Sequence, residues 1–132
     1  MYKIDKESYG YHVAFRGQVT LEEMHAWLAE SRKLLTQNPG NFCIYMDMIE
    51  CESLPEEAEV VMAQVHELYM TCGMLRAAVV TDKLEMNMQP KIKNACIESG
   101  VYQVCRYIDI KTTPDWKKKA GDWIHKGIEP YR

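Results

Sequence analysis

Two short, nearly unbroken apolar runs, Phe42-Cys43-Ile44-Tyr45-Met46 and Leu75 to Val80, constrain the fold of this chain more than any other feature. Runs of this length without polar alternation suit strands buried on both faces, as in the middle of a parallel sheet covered by helices. Residues 42–48 and 75–80 are therefore expected side by side in the buried centre of one sheet. That arrangement leaves the turn at 50–54 on the rim.

The flanking segments fit this centre. Tyr2 and Ile4, then Tyr11, Val13 and Phe15, alternate with more polar residues, which implies two half-buried strands joined near Ser8-Tyr9-Gly10 as an antiparallel hairpin. Thr20-Leu21-Glu22-Glu23 reads as a capping box, in which hydroxyl and carboxylate satisfy free N–H groups at a helix start. Leu21, Met24, Trp27, Leu28, Leu34 and Leu35 keep helical spacing until Pro39-Gly40. Ser53-Leu54-Pro55-Glu56 has the same capping pattern, with the proline in the first turn of a helix carrying Ala58, Val61, Val65, Leu68 and Cys72, and Gly73 as its terminator. Residues 84–88 fit no single pattern. Pro90 opens a short helix with Ile92, Ala95 and Cys96 that Gly100 ends, Val104 to Ile110 forms the last strand, and Thr113-Pro114 begins a helix that turns Trp116, Ala120, Trp123 and Ile124 inward. The order β-β-α-β-α-β-α-β-α predicts an α/β domain with a mixed, mostly parallel five-stranded sheet, an N-terminal antiparallel hairpin and about four helices.

At 132 residues one hydrophobic core is expected, and residues 1–132 read as a single domain. The formal charge of −3 argues against a dedicated nucleic-acid binder, which needs surplus Lys and Arg to neutralise phosphates. Lys117-Lys118-Lys119 reads as the solvated face of an amphipathic helix. No apolar run approaches the roughly 20 residues of a membrane span, and the N-terminus lacks the apolar stretch of a signal peptide. Cys43, Cys51, Cys72, Cys96 and Cys105 are odd in number and scattered, as suits reduced thiols in a cytoplasmic protein.

Several local strings resemble the STAS domain, in particular its stand-alone SpoIIAA-like form. Phe15-Arg16-Gly17-Gln18-Val19-Thr20 is similar to the family's strand end before the first helix, and Ile44 to Ile49 to its central strand. Ser99-Gly100-Val101 resembles the tripeptide before the final strand, and Asp115 to Ile124 the closing helix. The resemblance covers nearly the whole chain. It implies a non-enzymatic regulatory module that binds a protein partner through the loop at 50–54 and the helix after it, with Glu52, Ser53 and Glu56 presented to the partner. Phospho-switch members carry D-S-S/T-G-L at this place, whereas this chain has Glu52-Ser53-Leu54-Pro55.

The candidate residues each have two readings. Ser53 is a phospho-acceptor at a helix N-terminus, or only an N-cap worth about 1 kcal/mol. Its neighbours Glu50, Glu52, Glu56 and Glu57 would repel an added phosphate. Asp47, near the end of the central strand, stands with Asp82, Lys83 and Lys111 where open α/β sheets place ligands. A response-regulator receiver would also need an acidic pair after its first strand, and residues 5–10 read as a hairpin turn without one. Cys51 is a loop nucleophile or an inert loop thiol. The alternative to the interaction module is a carrier of a small apolar ligand or lipid, with Asp47, Met48, Cys51, Asp82 and Met86 at a pocket between the helices at 55–72 and 84–98. The pairs Met46/Met48 and Met86/Met88 would give such a pocket an adaptable lining. His12, His25, His66 and His125 show no metal-binding spacing, so neither metal nor cofactor is expected. Tyr102 and Tyr131 are candidates for an exposed aromatic surface, and with it a homodimer.

Overall fold

The computed structural model describes residues 1–87 and 90–131, with the side chains of Asn87 and Ala95 outside the description. In chain order the elements are β1 (Tyr2–Glu7), β2 (Gly10–Phe15), β3 (Gly17–Gln18), α1 (Leu21–Gln37), β4 (Phe42–Asp47), β5 (Cys51–Ser53) and α2 (Ala58–Thr71). They continue with β6 (Met74–Thr81), α3 (Leu84–Asn87), α4 (Pro90–Ser99), α5 (Val101–Val104), β7 (Cys105–Asp109) and α6 (Trp116–Lys126). The main sheet has the order β1-β2-β4-β6-β7. β1 and β2 are the antiparallel hairpin, and every other pairing in this sheet is parallel. The two apolar runs do lie side by side in its middle, with Ile44 opposite Ala77 and Met46 opposite Val79.

Burial on both faces explains why those runs do not alternate. Phe42, Ile44, Ala77 and Val79 enter a large core shared with α1 and α2, while Cys43, Ala78 and Val80 enter a smaller one with Ala120, Trp123 and Ile124 of α6. In the larger core Trp27 stands edge-on to Phe15 at 4.9 Å and to Tyr69 at 6.3 Å. In the smaller one the Trp123 indole donates to the Ala77 carbonyl at 2.9 Å. The first helix starts as its sequence predicts: the Thr20 hydroxyl accepts from the Glu23 N–H at 3.1 Å, and the Glu23 carboxylate accepts from the Thr20 N–H at 3.1 Å.

Four local expectations are corrected. Ser53 does not cap a helix and Pro55 does not open one; α2 begins at Ala58, and its N-cap, Glu57, makes no side-chain capping bond. Leu54 precedes a proline, which disfavours helical backbone at that residue, and residues 50–53 find strand partners instead. The Gly17 N–H donates to the Glu50 carbonyl at 2.8 Å and the Val19 N–H to the Ser53 carbonyl at 3.0 Å, so β3 and β5 form a second, two-stranded parallel sheet at the rim. Cys51 accordingly sits in a strand and is buried, where a loop cysteine was expected. The last helix starts at Trp116, after a turn at 113–115, and the described residues form six helices where about four are expected, two of them, α3 and α5, being single turns. Met88 and the Ala95 side chain lie outside the described residues.

The C-terminal segment is tied to the outer strand β7 and to α6. The Arg106 guanidinium donates to both carboxylate oxygens of Glu129 at 2.7 Å and lies 4.3 Å over the Trp123 ring. Lys119 donates to the Pro130 carbonyl, and the Tyr131 hydroxyl accepts from the Asp109 N–H. The Tyr131 bond occupies one of the backbone N–H groups that an edge strand otherwise offers for strand addition. Tyr102 and Tyr131 are both exposed, as expected. No helix among the described residues is long and apolar enough to cross a membrane.

Candidate functional site

The small β3/β5 sheet fixes the backbone of 51–53 against the chain leaving β2, and the turn at 55–57 then carries it into α2. This path brings Glu52, Ser53 and Glu56 onto one groove of about 310 Å³, together with Leu54, Pro55, Ala58, Glu59, Met86 and Ile92. Glu52, Ser53 and Glu56 are exposed. Ala58 and Ile92 are buried and form the groove's apolar base with the part-buried Leu54 and Met86. Sequence reasoning found the three polar residues because they are nearly consecutive. It did not find Ile92, which reaches the groove only because α4 packs against α2.

The other predicted ligand residues are placed differently. Met48 and Cys51 are fully buried in the larger core. Burial pushes the Cys51 thiol up in pKa against the opposing pull of Lys83, which is the wrong direction for a nucleophile. The Asp47 carboxylate accepts from the Ile49 N–H at 3.0 Å, a local turn bond. Asp82 pairs with Lys83 at 3.1 Å. No group of three or more His, Cys, Asp or Glu among the described residues is arranged to hold a metal ion.

A second cavity, smaller and deeper, lies in the larger core, lined among others by Trp27, Met62, His66, Tyr69, Ile92 and Tyr107. Its volume is about 40 Å³, enough for water-sized guests and well below the roughly 300–1,000 Å³ of small-molecule pockets. Met46, one of the methionines expected in a pocket lining, borders it, whereas Asp47, Met48, Cys51, Asp82 and Met86 do not; Ile92 is the wall it shares with the outer groove. The Tyr69 hydroxyl is 3.0 Å from Ser31 Oγ. It also stands near the Trp27 indole, but Trp27 Nε1 has no hydrogen bond of good geometry, and neither has the buried His66 Nδ1. Tyr107 and Cys96 meet at 3.4 Å, and burial pushes the Cys105 thiol beside them up to about 12.

His66 gives this interior a measurable pH signature. No carboxylate or cation lines the cavity, and burial lowers the imidazole pKa from 6.5 to about 4. The unfolded chain therefore takes up a proton near pH 6.5 that the folded chain refuses until about pH 4. Stability contributed by the neutral ring is complete above pH 6.5, declines as the pH falls through this window, and is lost below it, a difference of about 2–3 kcal/mol. Urea unfolding at pH 7 and pH 4 should show that His66→Leu loses less stability on acidification than the wild type by about this amount. Equal losses would mean that the imidazole is solvated.

With this geometry in view, solved structures give the fold a name. The chain matches an uncharacterised protein of the DUF3478 family with a SpoIIAA-like fold from Shewanella loihica PV-4, with a TM-score of 0.55 and 15% identity, over 94% of this chain and 92% of that one. It also matches the NMR structure of the protein TM1081, with a TM-score of 0.54 and 11% identity, over 89% and 90% of the two chains. No family model matches the sequence, and no curated protein does. The chain has the SpoIIAA-like fold, as the resemblance implied.

Proposed function

We propose that this SpoIIAA-like domain is a non-enzymatic regulatory module that binds a protein partner through the rim formed by residues 50–54 and the start of α2. One observation carries the reading: Glu52, Ser53 and Glu56, presented by a short strand and a turn, share an open groove with apolar side chains from α3 and α4. A groove with an apolar base and a polar rim has the make-up of a protein-binding patch. The carrier alternative depends on the inner cavity, whose volume accommodates neither a lipid nor any other drug-sized ligand without movement of a wall. Weight therefore falls on the outer groove.

Phosphorylation of Ser53 has no helix dipole to favour it, since Ser53 lies on β5, ahead of the first turn of α2. The partner is instead expected to meet an unmodified Ser53. A photoreactive amino acid placed at Ser53 in the cells that make this protein should trap one partner, which mass spectrometry identifies. The same group at Lys33, exposed on α1, should not trap it. The purified partner should then bind Glu56→Lys at least about tenfold more weakly than wild type. Trapping from both positions, or unchanged affinity for the variant, would refute the interface.

A further inference from the structure

We infer that the groove takes a basic amphipathic segment of its partner, with one apolar side chain lying on Met86 and Ile92 and Lys or Arg on either side of it. This rests on the reading of the rim as an interface and adds the chemistry of what docks there.

The lining divides into an apolar part, Leu54, Pro55, Ala58, Met86 and Ile92, and an acidic part, Glu52, Glu56 and Glu59. Little neutralises the acidic part. Glu50, just outside, is engaged by Arg16 at 2.8 Å, but among the described residues Glu52 and Glu56 form no ion pair. Glu59 has Lys91 at 3.9 Å, a long contact to a lysine whose side chain is 81% exposed and free to swing away. Glu57 and Glu59 favour the start of α2 through the helix dipole, which is a sufficient structural reason for them. Glu52 lies on β5, outside that helix, and has no such reason.

The signs of these charges select among occupants. An acidic or phosphorylated segment would meet three carboxylates of its own sign. A wholly apolar segment would cover the carboxylates and strip them of water without a partner in return. A segment with an apolar anchor and flanking cations satisfies both halves of the groove, and its approach is steered by the field of the rim.

The test uses the whole protein, isotopically labelled, and two synthetic peptides of about 14 residues, one with Lys and Leu at helical spacing and one with Glu in place of Lys. The Lys peptide should shift the amide signals of residues 52–54, 56–59, 91 and 92. It should bind at least about tenfold tighter than the Glu peptide at low salt, and most of that advantage should vanish near about 0.5 M salt. The double variant Glu52→Lys/Glu56→Lys, altered only at exposed positions, should bind the Glu peptide in preference. If the Glu peptide binds wild type as tightly, or the double variant keeps its preference for Lys, the assigned chemistry is wrong while the interface stands. If the Lys peptide does not bind at the groove, the inference falls, and the crosslinking result alone decides whether the rim is an interface.

Discussion

Gly10→Ala should abolish folding or lower the melting temperature by at least about 10 °C. Gly10 opens β2 at φ +147°, a backbone region that suits glycine, and pairs with Cys43 at the start of the parallel β2–β4 ladder. A Cβ there would lie 2.1 Å from the Cys43 carbonyl oxygen and 2.7 Å from its nitrogen. Both are backbone atoms of a central strand, so no side chain can turn aside to make room. Relief requires β2 to pull away from β4, and with it the hairpin that closes one side of the sheet. A displacement of this kind costs about 3 kcal/mol or more, which for a domain of this size is roughly 10 °C. Gly17→Ala is the control, since Gly17 also has positive φ, +65°, but nothing lies within 4 Å of its added Cβ. That variant should lose only the roughly 1–2 kcal/mol of the left-handed conformation. Similar melting of the two variants in a thermal scan would show that β2 and β4 are not in register at Gly10.

How much of this was legible in the sequence depends on the length over which a signal is written. The buried strands β4 and β6 announced themselves because an apolar run of four or five residues, Ala77 to Val80 and Phe42 to Met46, has few other uses. The first helix was legible because Thr20 and Glu23 close a capping box at the head of a long periodic stretch. The same pattern misled at Ser53-Leu54-Pro55-Glu56, where the spacing of hydroxyl and glutamate is identical but the backbone is committed to β3. A two-residue strand such as β3 has no period to detect, so nothing in residues 17–18 could reveal that partner. The acidic half of the groove was readable because it is local. Its apolar half depends on how α3 and α4 come to rest against α2, and the inner cavity depends on five or more elements meeting. Short-range chemistry was on the page, and long-range assembly was not.

The larger core should respond most strongly to truncation at Trp27, where Trp27→Ala should cost about 3–5 kcal/mol. The indole is 0% exposed and bridges layers: its edge-on contacts reach Phe15 at the end of β2 and Tyr69 of α2. Removing it takes the edge-on neighbour from Phe15, leaves Tyr69 with Phe42 alone at 5.9 Å, and merges the indole's volume with the cavity already lined by His66 and Tyr69. The surrounding sheet and helices are tied by paired backbone, so they cannot collapse far into the space, and the cavity term adds to the lost burial. Trp27→Phe separates packing from polarity. It keeps an aromatic ring against Phe15 while deleting the Nε1–H that has no well-formed hydrogen bond, so part of the packing loss is offset by removing an unsatisfied donor. Urea titrations should therefore place Trp27→Phe less than half as far from wild type as Trp27→Ala. Equal losses would show that the indole N–H is bonded, and a loss below about 1 kcal/mol for the alanine variant would mean that α1 does not pack on the sheet through this residue.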